Sequence, residues 1–176
     1  MRVIAGEFRS RKLQSLPGLD TRPTSDRLRE TLFNILSPRI EGVTFLDAYA
    51  GTGAVGIEAL SRGAARSIFI EKSRAAVEII RDNLQMLKIE NRAEVYTGKA
   101  ATVLERLAAD IIFLDPPYEL EREYEKVLNV LGARKPGLVI AQHATRLRLA
   151  EEFGVLKRFR VVKQGDNSLS FYEPET

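Results

Sequence analysis

Two kinds of hydrophobic pattern divide the chain near residue 40. Leu28, Leu32 and Ile35 recur three or four residues apart, which predicts an amphipathic helix that ends at Pro38. From residue 43 onward, short apolar runs alternate with helical patterns, and the runs fall at residues 43–47, 66–71, 93–96, 110–114 and 137–141. This alternation is typical of a parallel sheet with helices on both faces.

The two ends of the chain depart from this alternation. Residues 1–14 alternate loosely around Gly6, which predicts a short hairpin that must dock on the rest of the protein. A short helix is expected over residues 146–153. The segments 155–163 and 169–172 predict two final strands, antiparallel because the turn between them is short. We therefore expect an N-terminal extension in residues 1–20 and an α/β domain in residues 21–176.

Composition removes several kinds of chemistry. The 176 residues include no cysteine and one histidine, so disulfides, thiolate zinc sites and a cysteine nucleophile are excluded, and we predict no metal site. No apolar run approaches the ~20 residues that span a bilayer, and the first residues lack the apolar core of a signal peptide. The expectation is a cytoplasmic, monomeric protein with no membrane partner.

Positive charge is concentrated at the N-terminus. Residues 1–40 hold eight Lys/Arg and four Asp/Glu, a net charge of 8 − 4 = +4, whereas the remaining residues hold 19 and 20, a net charge of −1. A basic segment on a near-neutral body favours a polyanionic partner, most often a nucleic acid. The candidate RNA contacts are Arg2, Arg9, Arg11, Lys12, Arg22, Thr24 and Arg27.

A glycine-rich loop follows the first strand of the body. Gly51, Gly53 and Gly56 lie between a predicted strand and a predicted helix, where doubly wound folds bind nucleotides. Glu71, about twenty residues further on, suits a carboxylate that binds ribose hydroxyls, as both NAD and S-adenosylmethionine sites have. Asp47 would repel a pyrophosphate but would attract the ammonium group of S-adenosylmethionine. The loop therefore favours S-adenosylmethionine.

The sequence Asp115-Pro116-Pro117-Tyr118 follows the apolar strand at 110–114. The two prolines fix the backbone and remove two N–H donors, which leaves carbonyl groups available as acceptors. If Asp115 and a neighbouring carbonyl accept both N–H groups of an aromatic amine, its lone pair can point at a methyl electrophile. Tyr118 can stack on the base, a contact worth ~1–3 kcal/mol. The motif predicts methyl transfer to a nucleobase amine.

These motifs resemble those of a known family. Asp115 to Tyr118 matches the [DNS]-P-P-[YFW] signature of amino-methyltransferases, and with Asp47, the glycine loop and Glu71 it resembles the Rossmann-like S-adenosylmethionine methyltransferases. The segments 2–6, 9–13 and 22–33 resemble the RsmD-type 16S rRNA guanine-N2 methyltransferases.

The resemblance implies a fold, a product and a set of site residues. The fold would be a mostly parallel seven-stranded sheet with one antiparallel strand, preceded by a small β-hairpin. The products would be N2-methylguanosine and S-adenosyl-L-homocysteine, and the substrate 16S rRNA in an assembled or partly assembled small subunit. The implied catalytic residues are Asp115, Pro116, Pro117 and Tyr118; the implied cofactor residues are Asp47, Tyr49, Gly51, Gly53, Glu71, Lys99 and Ala100.

Two points remain open at this level. Asp115 could accept the proton that N2 loses or could only accept a hydrogen bond. Lys99 stands where many methyltransferases have an acid, and backbone contacts could recognise the adenine in place of that side chain. The guanine must leave its stack to react, which favours looped or single-stranded RNA.

Two other functions compete with the leading one. An adenine-N6 methyltransferase acting on DNA or RNA would carry the same motif, but the chain has no additional segment for reading DNA. A non-catalytic RNA-binding factor in ribosome assembly would have no use for an intact cofactor site. His143 is expected to be structural, and the charges of Arg146–Arg148 and Lys157–Arg160 are expected to be solvated.

Overall fold

A computed structural model describes residues 1–17, 26–117 and 120–175. The helices are α1 (Asp26–Leu36), α2 (Ala54–Ser61), α3 (Arg74–Met86), α4 (Ala100–Val103) and α5 (Glu121–Gly132). The strands are β1 (Thr44–Asp47), β2 (Arg66–Glu71), β3 (Ala93–Thr97), β4 (Ile111–Leu114), β5 (Leu138–Ala144), β6 (Glu152–Phe153), β7 (Leu156–Gln164) and β8 (Asn167–Pro174).

The described strands form one sheet in the order β3-β2-β1-β4-β5-β8-β7-β6. The first five strands are parallel, whereas β8 is antiparallel to both β5 and β7. The predicted mostly parallel α/β fold is confirmed. The seven expected strands are all present, and the two-residue strand β6 adds an eighth that is also reversed. A bulge interrupts β7 between Arg158 and Arg160.

Helices cover both faces of the sheet, as the continuous apolar strands require. The core on one face includes Leu32 and Phe33 of α1, and the core on the other includes Tyr124 and Leu128 of α5. Parallel strands β1, β2 and β4 bring their carboxyl ends to a single edge, where α/β proteins bind ligands. Among the described residues, every helix is too short or too polar to cross a membrane.

The prediction of a helix over residues 146–153 is wrong. The chain turns after β5, and the Thr145 amide donates to the Asp166 carbonyl at 2.7 Å, which ties it to the β7–β8 turn. Leu149 and Phe153, four residues apart, mimic helical spacing, but both reach the core from extended or irregular backbone. Phe153 packs edge-on against Tyr172, with the ring centroids 5.8 Å apart.

Residues 101–108 have a sequence pattern that predicts a short helix, but the helix in the structure is shorter than this. It is one α-helical turn, α4, followed by a 3-10 turn at Leu104–Arg106. The Arg134 guanidinium, which follows α5, donates to the carbonyls of Leu104 and Leu107. The helix therefore ends on a side chain from elsewhere in the chain.

The N-terminal segment docks on helices α2 and α3. Val3, Phe8 and Leu13 are buried against side chains of these helices, and the two arms of the segment pair through a bridge between Arg2 and Lys12. Gly6 has a φ of 87°, and a Cβ there would lie 1.9 Å from the Ser61 carbonyl oxygen. Only glycine fits this contact, so the predicted hairpin turns where its backbone meets α2.

A buried ion network holds this segment in place, and we call it the anchor. The Glu58 carboxylate is fully buried and accepts the amides of Ile4 and Ala5 at 2.9 and 3.0 Å, and Arg62 Nε at 2.8 Å. The buried Arg29 lies 3.9 Å from the same carboxylate and donates to the Arg2 carbonyl at 2.7 Å. Sequence reasoning did not find the anchor, because Glu58 and Arg29 lie on helix positions that pattern alone assigns to solvent.

Candidate active site

A cavity of about 400 Å³ opens at the carboxyl ends of the parallel strands. Its volume lies within the range typical of small-molecule sites, roughly 300–1,000 Å³. The predicted residues that line it are Tyr49, Gly51, Glu71, Lys99, Ala100 and Pro117. The structure thus brings together five of the seven expected cofactor residues and one residue of the proline motif.

Glu71 is fixed at the wall of the cavity by backbone amides. Its Oε1 accepts the Gly51 N–H at 2.9 Å and its Oε2 accepts the Ser73 N–H at 2.7 Å. Ser73 in turn caps α3 by accepting the Ala76 amide at 3.2 Å. A carboxylate has about four acceptor positions, so two remain for ligand hydroxyl groups.

Gly53 shapes the glycine loop without lining the cavity. It precedes α2 with a φ of 90°, a left-handed conformation that favours glycine. The Asn83 side chain donates to the neighbouring Thr52 carbonyl at 3.0 Å, and so holds the loop from α3. We assign Gly53 to the backbone turn that positions Gly51.

Asp47 lies behind the cavity wall and is almost fully buried. Burial raises the pKa of its carboxyl to about 7, and the negative charges of Asp115 and Glu71 contribute to the rise. Hydrogen bonds from the amides of Tyr49, at 3.4 Å, and Gly56 offset part of it. Three carboxylates therefore converge here, and a cation would relieve their repulsion.

The proline motif lies at the rim. Asp115 is half-buried, Pro116 is buried and Pro117 is exposed beside the cavity, while Tyr118 lies outside the described residues. The influence of Asp115 on the Asp47 pKa places the motif next to the glycine loop. The end of β4 therefore presents its acid to the same site as the end of β1.

Residues 1–173 match the protein-family model described as conserved hypothetical protein 95. The chain belongs to this family. It is 34% identical to the candidate rRNA methyltransferase YlbH of Bacillus subtilis over 98% of each chain. It is 44% identical to ribosomal RNA small subunit methyltransferase D of Escherichia coli over 74% of this chain and 66% of that protein. The predicted RsmD-type resemblance is confirmed.

A solved structure supports the same conclusion about the fold of this family member. The candidate methyltransferase YhhF from Escherichia coli superposes with a TM-score of 0.84 and 35% identity, covering 100% of this chain and 98% of that chain. The predicted Rossmann-like methyltransferase fold is therefore confirmed.

Sequence reasoning missed the contribution of α5 to the cavity. Glu123 and Lys126 line it, and the Tyr49 hydroxyl donates to Glu123 Oε1 at 2.6 Å. Burial raises the pKa of the Tyr49 hydroxyl, and its hydrogen bond to Glu123 raises it further. The signal was available, because α5 begins directly after the proline motif and its first turns must face the same edge.

The candidate RNA contacts gather around the N-terminal segment. Arg2, Arg9, Arg11 and Lys12 are exposed on it, and Arg27 is exposed at the start of α1. Arg2 Nη1 donates to the Ser10 carbonyl at 2.9 Å, which fixes its direction. Arg22 and Thr24 lie outside the described residues.

His143 is buried inside the sheet, away from the cavity lining. Its Nε2 lies 2.7 Å from Ser170 Oγ and its Nδ1 lies 2.8 Å from the Ala144 carbonyl. Burial lowers the pKa of its imidazole, which favours the neutral form. These contacts support a structural role. Within the described ranges, no group of three or more His, Asp or Glu side chains is arranged to hold a metal ion.

Proposed function

We propose that this protein transfers the methyl group of S-adenosyl-L-methionine to the exocyclic N2 of a guanine in 16S rRNA and releases S-adenosyl-L-homocysteine. The observation that carries the proposal is the convergence of Asp47, Asp115 and Glu71 beside a cavity of about 400 Å³. S-adenosylmethionine carries a sulfonium and an ammonium charge, which this acidic site would attract. A dinucleotide would bring a pyrophosphate, which the same carboxylates would repel.

The described residues fit this cofactor. The remaining acceptor positions of Glu71 suit the ribose hydroxyls, and Gly51 allows the methionine end to approach the backbone. The segment 98–101 would border the adenine. When bound, the cofactor supplies a methyl group on a positively charged sulfur, a good electrophile.

The proline motif would hold the attacking amine. Asp115 would accept one N–H of the guanine amino group, and a carbonyl left free of local donors by the prolines would accept the other. The nitrogen lone pair then faces the methyl group, and displacement proceeds in line. Most of the acceleration would come from this positioning. In this arrangement Asp115 would also be able to take the proton that the amine loses.

An rRNA substrate is supported by the names of two relatives and by the basic N-terminal segment. We propose small-subunit rRNA, in an assembled or partly assembled subunit, as the partner of a monomeric enzyme. Such a substrate would place the enzyme in the cytoplasm.

Labelled methyl transfer is the direct test. The protein would be incubated with labelled S-adenosylmethionine and, separately, naked 16S rRNA, partly assembled small subunits and DNA, and the product digested to nucleosides. We expect N2-methylguanosine from an RNA substrate. N6-methyladenine would support the alternative enzyme, and RNA binding without any methyl transfer would support a non-catalytic assembly factor.

A further inference from the structure

Glu123 offers an unused acceptor to the cavity. The described cavity wall contains two acidic side chains, Glu71 and Glu123. Both oxygens of Glu71 already accept backbone amides, at 2.9 and 2.7 Å. Oε1 of Glu123 accepts the Tyr49 hydroxyl, and no donor among the described residues bonds to its Oε2.

Tyr49 fixes the orientation of this carboxylate. The tyrosine is half-buried in the glycine loop, and its 2.6 Å hydrogen bond reaches across the cavity wall to α5. A hydroxyl has one proton to donate, so the bond assigns Tyr49 to Oε1. The other oxygen is left for a molecule in the cavity.

Glu123 can supply a hydrogen-bond acceptor for an adenine amino group, which the side chain of Lys99 cannot. Lys99 and Ala100, which begin α4, line the same cavity as Glu123 at the start of α5. An adenine ring placed against this segment presents a 6-amino group, which is a hydrogen-bond donor. The Lys99 ammonium can only donate, so it cannot accept from that amine.

Given the proposed use of S-adenosylmethionine, we propose that Glu123 recognises the adenine of the methyl donor through a hydrogen bond from the 6-amino group to Oε2. Tyr49 holds the carboxylate in place for this contact. Glu123 is then the residue that determines the base specificity of the cofactor site.

The experiment compares two non-reactive ligands by calorimetry: S-adenosylhomocysteine, and its inosine analogue, in which a carbonyl replaces the 6-amino group. The wild-type protein is expected to prefer the adenine ligand by about tenfold or more, because the analogue sets a carbonyl oxygen against a carboxylate. In Glu123→Gln, the amide oxygen stays on Tyr49 and the NH₂ group faces the ring. That group donates to the analogue, so the preference should fall about fivefold or more.

Two further variants sharpen the result. Glu121→Gln changes an exposed acid on the same turn of α5 that is outside the cavity lining, and it should keep the wild-type preference. Tyr49→Phe removes the hydrogen bond that orients Glu123, and it should reduce the preference by a smaller factor. Each preference is a ratio measured within one variant, so partial unfolding cancels.

The outcomes separate this inference from the proposed function. If Glu123→Gln keeps the wild-type preference for the adenine ligand, Glu123 does not recognise the adenine. If this variant also transfers methyl groups more slowly, the carboxylate contacts the RNA base instead. If the wild-type protein binds neither ligand, the proposed function itself fails.

Discussion

The anchor and the wall of the cavity both contain buried carboxylates, but the protein satisfies their negative charge in different ways. In the anchor, Glu58 is fully buried, but two arginines and two backbone amides satisfy it. Around the cavity, Asp47 accepts only backbone amides from the described residues, and burial together with two other carboxylates raises the pKa of its carboxyl. A buried carboxylate that is paired with arginines holds a segment of the chain in place. Buried carboxylates that repel one another instead form a site that a cation can complete.

Breaking the anchor should give the largest effect. Glu58→Ala leaves the buried Arg29 with only the exposed carboxylate of Asp26, at 3.1 Å, and removes the acceptor of the Ile4 and Ala5 amides. This loss should lower the free energy of unfolding by about 3–5 kcal/mol in urea denaturation. Glu7→Ala removes an exposed partner of Arg92 and should cost about 0.5 kcal/mol or less. If both variants lower the free energy of unfolding by the same amount, the buried network stabilises the protein no more than an exposed ion pair does.

Replacing Asp115, the acid of the proline motif, tests whether the carboxylates at the cavity take part in methyl transfer. Asp115→Ala should lower kcat about 100-fold or more while the affinity for S-adenosylmethionine changes only a few-fold. Asp110 lies at the other end of the same strand, where its side chain accepts the Thr44 amide at 2.8 Å. Asp110→Ala should therefore retain kcat, and near-wild-type turnover in Asp115→Ala would contradict the mechanism.

The raised pKa of Asp47 predicts how stability changes with pH. Folding raises the pKa of this carboxyl from 3.8 to about 7, so the folded state holds a proton that the unfolded chain has released. Well below pH 4 both states are protonated, and ionisation imposes no penalty. As pH rises from about 4 to 7, the unfolded state is favoured by a growing amount, on the order of 4 kcal/mol at most.

The variant Asp47→Asn isolates this contribution. Its free energy of unfolding should match the wild type near pH 4 and exceed it increasingly towards pH 7, as measured by urea denaturation at each pH. A difference that stays constant across this range would show that Asp47 does not titrate there.

The smallest effect should come from the exposed cations that the anchor supports. Replacing Arg9, Arg11 and Lys12 with Gln should weaken RNA binding about tenfold and reduce the slope of log K against log salt by about 2–3. Substitution is preferable to deletion of the segment, because deletion would also expose Val3, Phe8 and Leu13. Matched loss of Lys157, Arg160 and Lys163, near the far edge of the sheet, should leave the slope unchanged.

Local signals predicted the parts of the site that depend on short spacing. The glycine loop, Glu71 and the proline motif each sit at a strand end, so their meeting followed from parallel topology alone. The hydrogen bond between Tyr49 and Glu123 joins residues 74 positions apart, and no local pattern encodes it.

The same limit explains the errors in the fold. Leu149 and Phe153 show helical spacing, but Phe153 pairs with Leu156 of β7 and packs against Tyr172, which keeps it in an extended strand. The Glu58 anchor could not be predicted for a related reason. An acid two residues after Gly56 has the same local pattern as an exposed helix residue, and only the N-terminal segment, distant in sequence, buries it.

The outer edge of strand β7 bears on whether two copies of the protein can associate through their sheets. β6 covers only its first two residues, so much of its outer edge has no neighbouring strand among the described residues. Arg160 and Lys163 lie on the uncovered part of β7, and the bulge at Arg158/Arg160 distorts its hydrogen-bonding repeat. Like charges and an irregular backbone both discourage a second copy from extending the sheet. The exposed basic side chains of β7 contribute little to folding stability, but they would thus protect the protein from aggregation through this edge.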